Sequence, residues 1–122
     1  MPKTYKITVK GRPRPKGRPR FGRGGHVYTP KETLEYEKKI REAAHGIVDE
    51  KLEGQNLTFI VKVYFKNRVH GDCDNYVKIA QDALNKFAFK DDKQIKHIEG
   101  HLLYCDGEEN QRMEITIIDR DA

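Results

Sequence analysis

The sequence predicts a single small domain of mixed α/β (α+β) class, in which helices pack on a mixed β-sheet. Apolar residues occur at every second position through 57–65, which is the period of a β-strand. Segments 30–48 and 75–87 instead repeat apolar residues at the spacing of an amphipathic helix. With 122 residues the chain is long enough for one hydrophobic core, so we expect one domain over 1–122.

The predicted element order is β-α-β-α-β-β. In chain order the elements are a strand at 5–10, a helix at 30–48, a strand at 57–65, a helix at 75–87, and strands at 95–104 and 113–118. The first strand alternates apolar and polar residues and ends at Gly11. Strand 57–65 has apolar residues on its second face too, Ile60 and Tyr64, so we expect a central strand covered on both sides. The turn 106–110 joins the last two strands in a hairpin-like arrangement.

Both predicted helices have a start signal. Thr29, Pro30 and Glu32 follow the order of N-cap, first-turn proline and capping box, so Thr29 is the predicted cap of the first helix. Asp74 is the predicted N-cap of the second helix.

Positive charge is concentrated at the start of the chain. Residues 1–31 contain ten Lys or Arg and no acid, so this segment carries +10 within a net charge of +5. Such a patch is typical of nucleic-acid binding, because neutralised phosphates release condensed counterions. Loop 11–26, rich in Pro and Gly, is the predicted DNA-binding segment. Its predicted phosphate contacts are Arg12, Arg14, Lys16, Arg18 and Arg20. Phe21 and Tyr28 either stack on an exposed base or cover the edge of the domain.

Four acidic residues flank the second helix: Asp72 and Asp74 at its start, and Asp91 and Asp92 after its end. If the two pairs meet, carboxylates about 4 Å apart repel by roughly 4 kcal/mol at an effective dielectric near 20. A helix cap contributes only about 1 kcal/mol. A hard divalent cation, Mg²⁺ or Mn²⁺, would compensate such a cluster. We therefore expect a metal site, on the condition that the later pair returns to the start of the helix.

Lys78 lies one helical turn after Asp74. A cation there could stabilise a pentavalent phosphate or position the attacking water. Asp82 follows one turn later, and we interpret it as a surface partner of Lys78.

A zinc site is the alternative for the His and Cys residues. The candidates are His70, Cys73, His97, His101 and Cys105. Their spacing does not resemble a paired-ligand zinc motif, so we do not expect zinc.

The composition excludes several protein classes. The longest apolar stretches are interrupted by Lys, so no membrane span is predicted, and the first residues lack the apolar core of a signal peptide. Two cysteines make no disulfide framework. We expect a cytoplasmic protein with reduced thiols and no organic cofactor.

Three segments together resemble the RusA family of Holliday junction resolvases, which phages and prophages often carry. They are GRPRPKGRPRF, the helix start YTPKETLEYE, and GDCDNYVKIAQDALNKFAFKDDKQI. The resemblance covers nearly the whole chain and implies a homodimeric, Mg²⁺-dependent endonuclease that nicks two strands of a four-way junction symmetrically. It implies metal binding by Asp72, Asp74 and Asp92, with Asp91 beside the third acid, and a catalytic role for Lys78.

The chain departs from the family pattern at two positions. Gly71 stands where some members have a basic residue, with Arg68 slightly earlier as the predicted DNA contact. Cys73 stands where an aliphatic residue is more usual.

Two other functions remain open at this point. One is a magnesium nuclease for other branched DNA or for RNA. The other is a noncatalytic nucleic-acid-binding module, in which the acids only cap helices.

Overall fold

The computed structural model describes residues 2–122. Its strands and helices, in chain order, are β1 (Lys3–Lys10), β2 (Arg20–Phe21), β3 (Val27–Tyr28), α1 (Lys31–Ala44), β4 (Leu57–Phe65), α2 (Cys73–Leu84), β5 (Ile95–Tyr104) and β6 (Arg112–Asp119). Short 3₁₀ turns occupy Arg23–Gly25, Asp92–Gln94 and Glu108–Asn110.

Four strands form one sheet in the order β1-β6-β4-β5. The pairs β1–β6 and β4–β6 are antiparallel, whereas β4–β5 is parallel. Parallel neighbours need a crossover connection, and α2 supplies it between β4 and β5. The prediction of a mixed sheet with packed helices is confirmed.

One face of this sheet carries both helices and the core. The inward row of β4 includes Val61, Val63 and Phe65, all at most 1% exposed, and Ile40 of α1 and Ile79 of α2 are fully buried against the same cluster. Each of these side chains stabilises the fold by about 1.5 to 3 kcal/mol relative to exposure.

The second face of β4 is more open than the sequence predicted. Ile60 and Tyr64 are only half-buried and Lys62 is exposed. Among residues 2–122 no helix packs there; instead, the Arg112 guanidinium of β6 lies 3.8 Å from the centre of the Tyr64 ring. The expectation of a strand covered on both sides was therefore wrong. Long side chains of a neighbouring strand give this face only partial cover.

The predicted hairpin between the last two strands was also wrong. β5 and β6 are consecutive in the chain, but β4 lies between them in the sheet. β6 pairs on both sides and buries Met113, Ile115 and Ile117 completely. Burial of these three side chains favours a position for β6 inside the sheet, between β1 and β4. The turn residues before β6 gave no indication of this position.

The start of α1 differs from the predicted capping box. The helix begins at Lys31, so Pro30 occupies the cap position and no side chain caps it. Thr29 lies one residue too early to act as the cap. The helix ends at Ala44 rather than near Val48.

A glycine in β5 allows α2 to approach the sheet. A Cβ atom at Gly100 would lie 2.7 Å from Val77 Cγ2 and 2.9 Å from Cys73 Sγ. The first turn of α2 therefore rests directly on the β5 backbone.

Replacement of Gly100→Ala should lower the free energy of unfolding by about 1 to 3 kcal/mol, because the added methyl forces α2 from the sheet. Urea denaturation measures this loss. The double variant Gly100→Ala/Val77→Ala removes the nearest clashing atom and should cost less than the sum of the two single changes. Strict additivity would contradict the close contact.

Candidate active site

Two carboxylates lie at the start of α2. Asp72 is extended, with φ −80° and ψ 146°, and precedes the first helical residue, Cys73; Asp74 is in the first turn. The prediction of Asp74 as N-cap was wrong, because the helix begins two residues earlier than expected. Both side chains are exposed, and within residues 2–122 neither carboxylate accepts a hydrogen bond or joins an ion pair. The positive end of the helix dipole favours negative charge here.

A ring cluster holds the connection between β4 and α2 in place. The Tyr76 hydroxyl accepts a hydrogen bond from Gly71 N at 2.8 Å, and its ring centre lies 5.3 Å from that of Phe65. His70 contacts both the Gly71 carbonyl, at 2.9 Å, and the Tyr104 hydroxyl, at 3.0 Å. The backbone that positions Asp72 is therefore tied to the ends of two strands. Sequence reasoning identified Tyr76 only as an inward residue.

Cys73 lies between the two acids in the chain and is half-buried. Burial, and then the nearby charge of Asp74, raise the pKa of its thiol. Hard cations such as Mg²⁺ and Mn²⁺ prefer oxygen ligands to sulfur. The groups at this position that suit such a cation are therefore the carboxylates of Asp72 and Asp74.

Lys78 and Asp82 form part of a cluster of four charges. Lys78 Nζ lies 3.4 Å from Asp82 Oδ1, while Lys16 Nζ lies 3.1 Å from Asp82 Oδ2 and 2.8 Å from Glu37 Oε2. Burial alone would lower the pKa of Lys16, but hydrogen bonds to Glu37 and Asp82 outweigh it and raise that pKa. Lys16, predicted to contact DNA, is thus engaged with two carboxylates of its own chain.

Arg12 also has contacts within the protein. Its guanidinium donates to Gln111 Oε1 at 3.1 Å and to the Val69 carbonyl, and lies 5.2 Å from the Phe65 ring centre. Arg68 lies over the Tyr104 ring at 5.2 Å. These two predicted DNA contacts therefore support the connection that leads to Asp72.

The remaining basic residues of the loop are available to a ligand. Arg14, Arg18 and Arg20 are exposed, and among residues 2–122 their side chains form no hydrogen bond or ion pair. The loop was predicted to lack regular structure, but strands β2 and β3 form a short hairpin in it. Phe21 on this hairpin is 79% exposed and Tyr28 is 45% exposed. Phe21 therefore does not cover the domain edge.

Asp91 and Asp92 lie at the other end of the sheet. Their 3₁₀ turn leads into Ile95, which pairs with Leu57 where β4 begins, whereas Asp72 follows the end of β4. The twelve residues of α2 lie between these ends, a rise of about 18 Å. The third acid does not reach the first two within one protomer, contrary to the geometric condition stated from the sequence.

The two later acids differ in their environments. Asp91 is the N-cap of its turn: its Oδ1 accepts from Lys93 N at 2.9 Å, and Gln94 completes a capping box. Asp92 Oδ1 is buried and has no hydrogen-bond partner within residues 2–122. An unsatisfied carboxylate oxygen is costly unless a cation or a further donor reaches the group.

The donor set fits a hard cation only in part. No group of three His, Cys, Asp or Glu residues able to hold a metal occurs in the described part of the chain. Mg²⁺, however, commonly binds through one or two carboxylates, with waters and substrate phosphates completing the shell. Asp72 and Asp74 meet that requirement.

A match to a family model identifies the family to which this chain belongs. The model for the endodeoxyribonuclease RusA matches residues 10–118, which is most of the chain. The chain belongs to the RusA family. Membership implies a nuclease that acts on Holliday junctions, and RusA enzymes are in general metal-dependent. A search of curated proteins finds no significant match. Within residues 2–122, every helix is too short or too polar to cross a membrane.

Replacement of Lys16→Met should destabilise the fold, because it leaves the Glu37 carboxylate, whose side chain is only 10% exposed, without its partner. We expect a loss of about 1 to 2 kcal/mol, less than for a fully buried pair. Arg18→Met, at an exposed position in the same loop, should change stability by no more than about 0.5 kcal/mol. Urea denaturation of both variants tests the difference. Equal stabilities would contradict an anchoring role for Lys16.

Proposed function

We propose that this protein is a Mg²⁺-dependent endonuclease that resolves Holliday junctions by paired symmetric nicks, as a homodimer, in DNA recombination and repair. The observation that carries the proposal is the pair of exposed, unpartnered carboxylates at the start of α2, with Lys78 one turn away. Family membership supports the choice of a four-way junction as substrate. We expect Mn²⁺ to substitute for Mg²⁺, since both prefer oxygen ligands.

Each residue of the proposed site has a distinct role. Asp72 and Asp74 hold the cation, which when bound lowers the pKa of a water and stabilises charge on the leaving oxygen. The Lys78 ammonium stabilises the charge that develops on the phosphate oxygens. Asp92 supplies a further carboxylate, and we assign Asp91 to capping rather than to metal binding.

We propose that the Asp92 of one active site comes from the partner protomer. β5 is an edge strand, and its outer backbone groups have no sheet partner among the described residues. A ten-residue edge strand is a template for pairing with another chain. Exposed apolar side chains lie on or beside it: Ile98 at 48%, Tyr104 at 48% and Val69 at 74%.

Antiparallel pairing of two β5 strands about a twofold axis would bring the acids together. In such a pair, the start of one strand lies beside the end of the other. Asp92 precedes the start of β5, and Tyr104 at its end contacts His70, two residues before Asp72. A twofold dimer also places two sites symmetrically, as paired nicks require.

The basic loop supplies contacts to DNA. We propose that Arg14, Arg18 and Arg20 neutralise phosphates, while Arg12, Lys16 and Arg68 act mainly by holding the loop and the connection to α2. Phosphate contacts position the substrate without reading bases, which suits recognition of a branched shape. We propose that the ring of Phe21, which is 79% exposed, stacks on an unpaired base.

Asp74→Asn and Asp92→Asn should each abolish cleavage of a labelled four-way junction, while binding of the junction persists. Mixing the two variants should restore activity, because the mixed dimer contains one site with every acid intact. If subunits of an equimolar mixture exchange at random, about half of the dimers are mixed and one of the two sites in each is intact, so about a quarter of all sites recover. The product of the mixture should be a single nick per junction rather than paired nicks.

The mixing experiment requires subunit exchange, which labelled Asp74→Asn protomers can report. As a control, a mixture of Asp72→Asn and Asp74→Asn should stay inactive, since both changes affect the same half of the site. Exchange without recovery would mean that Asp92 does not act in the partner's site. Cleavage by Asp74→Asn alone would remove the nuclease proposal for this site.

The triple variant Arg14→Ala/Arg18→Ala/Arg20→Ala should flatten the dependence of junction affinity on salt. Each lost phosphate contact reduces the slope of log affinity against log salt by about 0.9, so three reduce it by nearly 3. Filter binding or anisotropy over a salt series measures the slope. A control change of three exposed lysines on β1, Lys3, Lys6 and Lys10, should leave it unaltered. An unchanged slope in the arginine variant would exclude the loop from the interface.

A further inference from the structure

Lys78 lies between two carboxylates on α2 but pairs with only one of them. Asp74 is one turn before it and Asp82 one turn after it. The ammonium lies 3.4 Å from Asp82, and the described residues include no ion pair between Lys78 and Asp74.

The pairing of Lys78 with Asp82, rather than with Asp74, is the less favourable of the two arrangements on an isolated helix. Side chains on a helix lean toward its N-terminus, and an acid four residues before a base is the more favourable order. An unconstrained Lys78 would therefore turn toward Asp74.

Lys16 explains the preference for Asp82. Its ammonium binds Asp82 Oδ2 at 3.1 Å, which leaves Oδ1 directed at Lys78. Lys16 is itself held by Glu37, and its backbone N–H donates to the Asn75 carbonyl at 3.0 Å. The Asp82 side chain is 25% exposed, so its charge is less screened by solvent than that of the exposed Asp74.

We propose that Asp82 is a positioning residue that draws the Lys78 ammonium away from Asp74. The Asp74 carboxylate then stays open to a divalent cation. The pairing of Lys78 with Asp82 is weak enough, at an exposed lysine, for a substrate phosphate to replace it. This inference rests on the proposed function, in which Asp74 binds the cation and Lys78 acts on the phosphate.

Binding of Mn²⁺ to the DNA-free homodimer tests the inference without a cleavage assay. Electron paramagnetic resonance of free Mn²⁺ gives the dissociation constant. Asp82→Asn should raise it by roughly 1.5- to 2-fold, because Lys78 then competes with the ion for Asp74. Glu35→Gln is the matched control: it removes a carboxylate from the i,i+4 ion pair with Lys31 on α1, outside the cluster of Lys16, Glu37, Lys78 and Asp82, and should leave the constant unchanged.

A double-variant comparison separates positioning from a general effect of charge or structure. In a Lys78→Met background no ammonium competes for Asp74, so Asp82→Asn should have no further effect on Mn²⁺ binding. An equal loss of affinity in both backgrounds would overturn the inference, as would an unchanged constant for Asp82→Asn alone.

The same titration distinguishes failure of the function from failure of the inference. Wild-type binding that Asp74→Asn removes, but that Asp82→Asn leaves unaltered, overturns only the role of Asp82. Wild-type protein that binds no Mn²⁺ sensitive to Asp74→Asn overturns the metal site, and the role of Asp82 with it.

Discussion

The parallel pairing of β4 with β5 is the constraint on which the arrangement of the site depends. Two neighbouring strands that run in one direction need a crossover, so α2 must return along the length of the sheet. Its start lies near the end of β4 and its end near the start of β5. Asp72 and Asp92 are therefore held at opposite ends by the topology itself. Gly100 completes the constraint, since its missing side chain lets α2 lie directly on β5.

The basic segment combines anchored side chains and exposed, unpaired ones in one short loop. Arg12 and Lys16 reach back to carbonyl, amide and carboxylate groups of the domain, whereas Arg14, Arg18 and Arg20 point into solvent. The difference follows from what each side chain can reach. Anchored residues hold an otherwise extended Pro- and Gly-rich loop against both helices, which reduces the entropy it would lose on binding DNA.

The strands and helices were mostly predictable because each depends on local periodicity. Strand 57–65 and strand 95–104 have the predicted bounds, and the second helix was displaced by only two residues at its start. The errors concern features that local pattern does not determine. The prediction of Thr29 as the N-cap of α1 was wrong because the helix begins at Lys31, one residue later than the predicted start at Pro30. The prediction of a hairpin between β5 and β6 was wrong because the order of strands in a sheet depends on which rows of side chains are buried together.

The sequence by itself determined the fold class, the two acids at a helix start, the lysine one turn beyond and the concentration of positive charge near the N-terminus. These depend on residue type and short-range spacing, which the sequence displays directly. Only the tertiary structure decided that Lys16 binds Glu37 and Asp82, and that Asp92 lies far from Asp72. Both outcomes depend on contacts between residues distant in the chain, and no local pattern specifies the path by which the chain brings them together or keeps them apart.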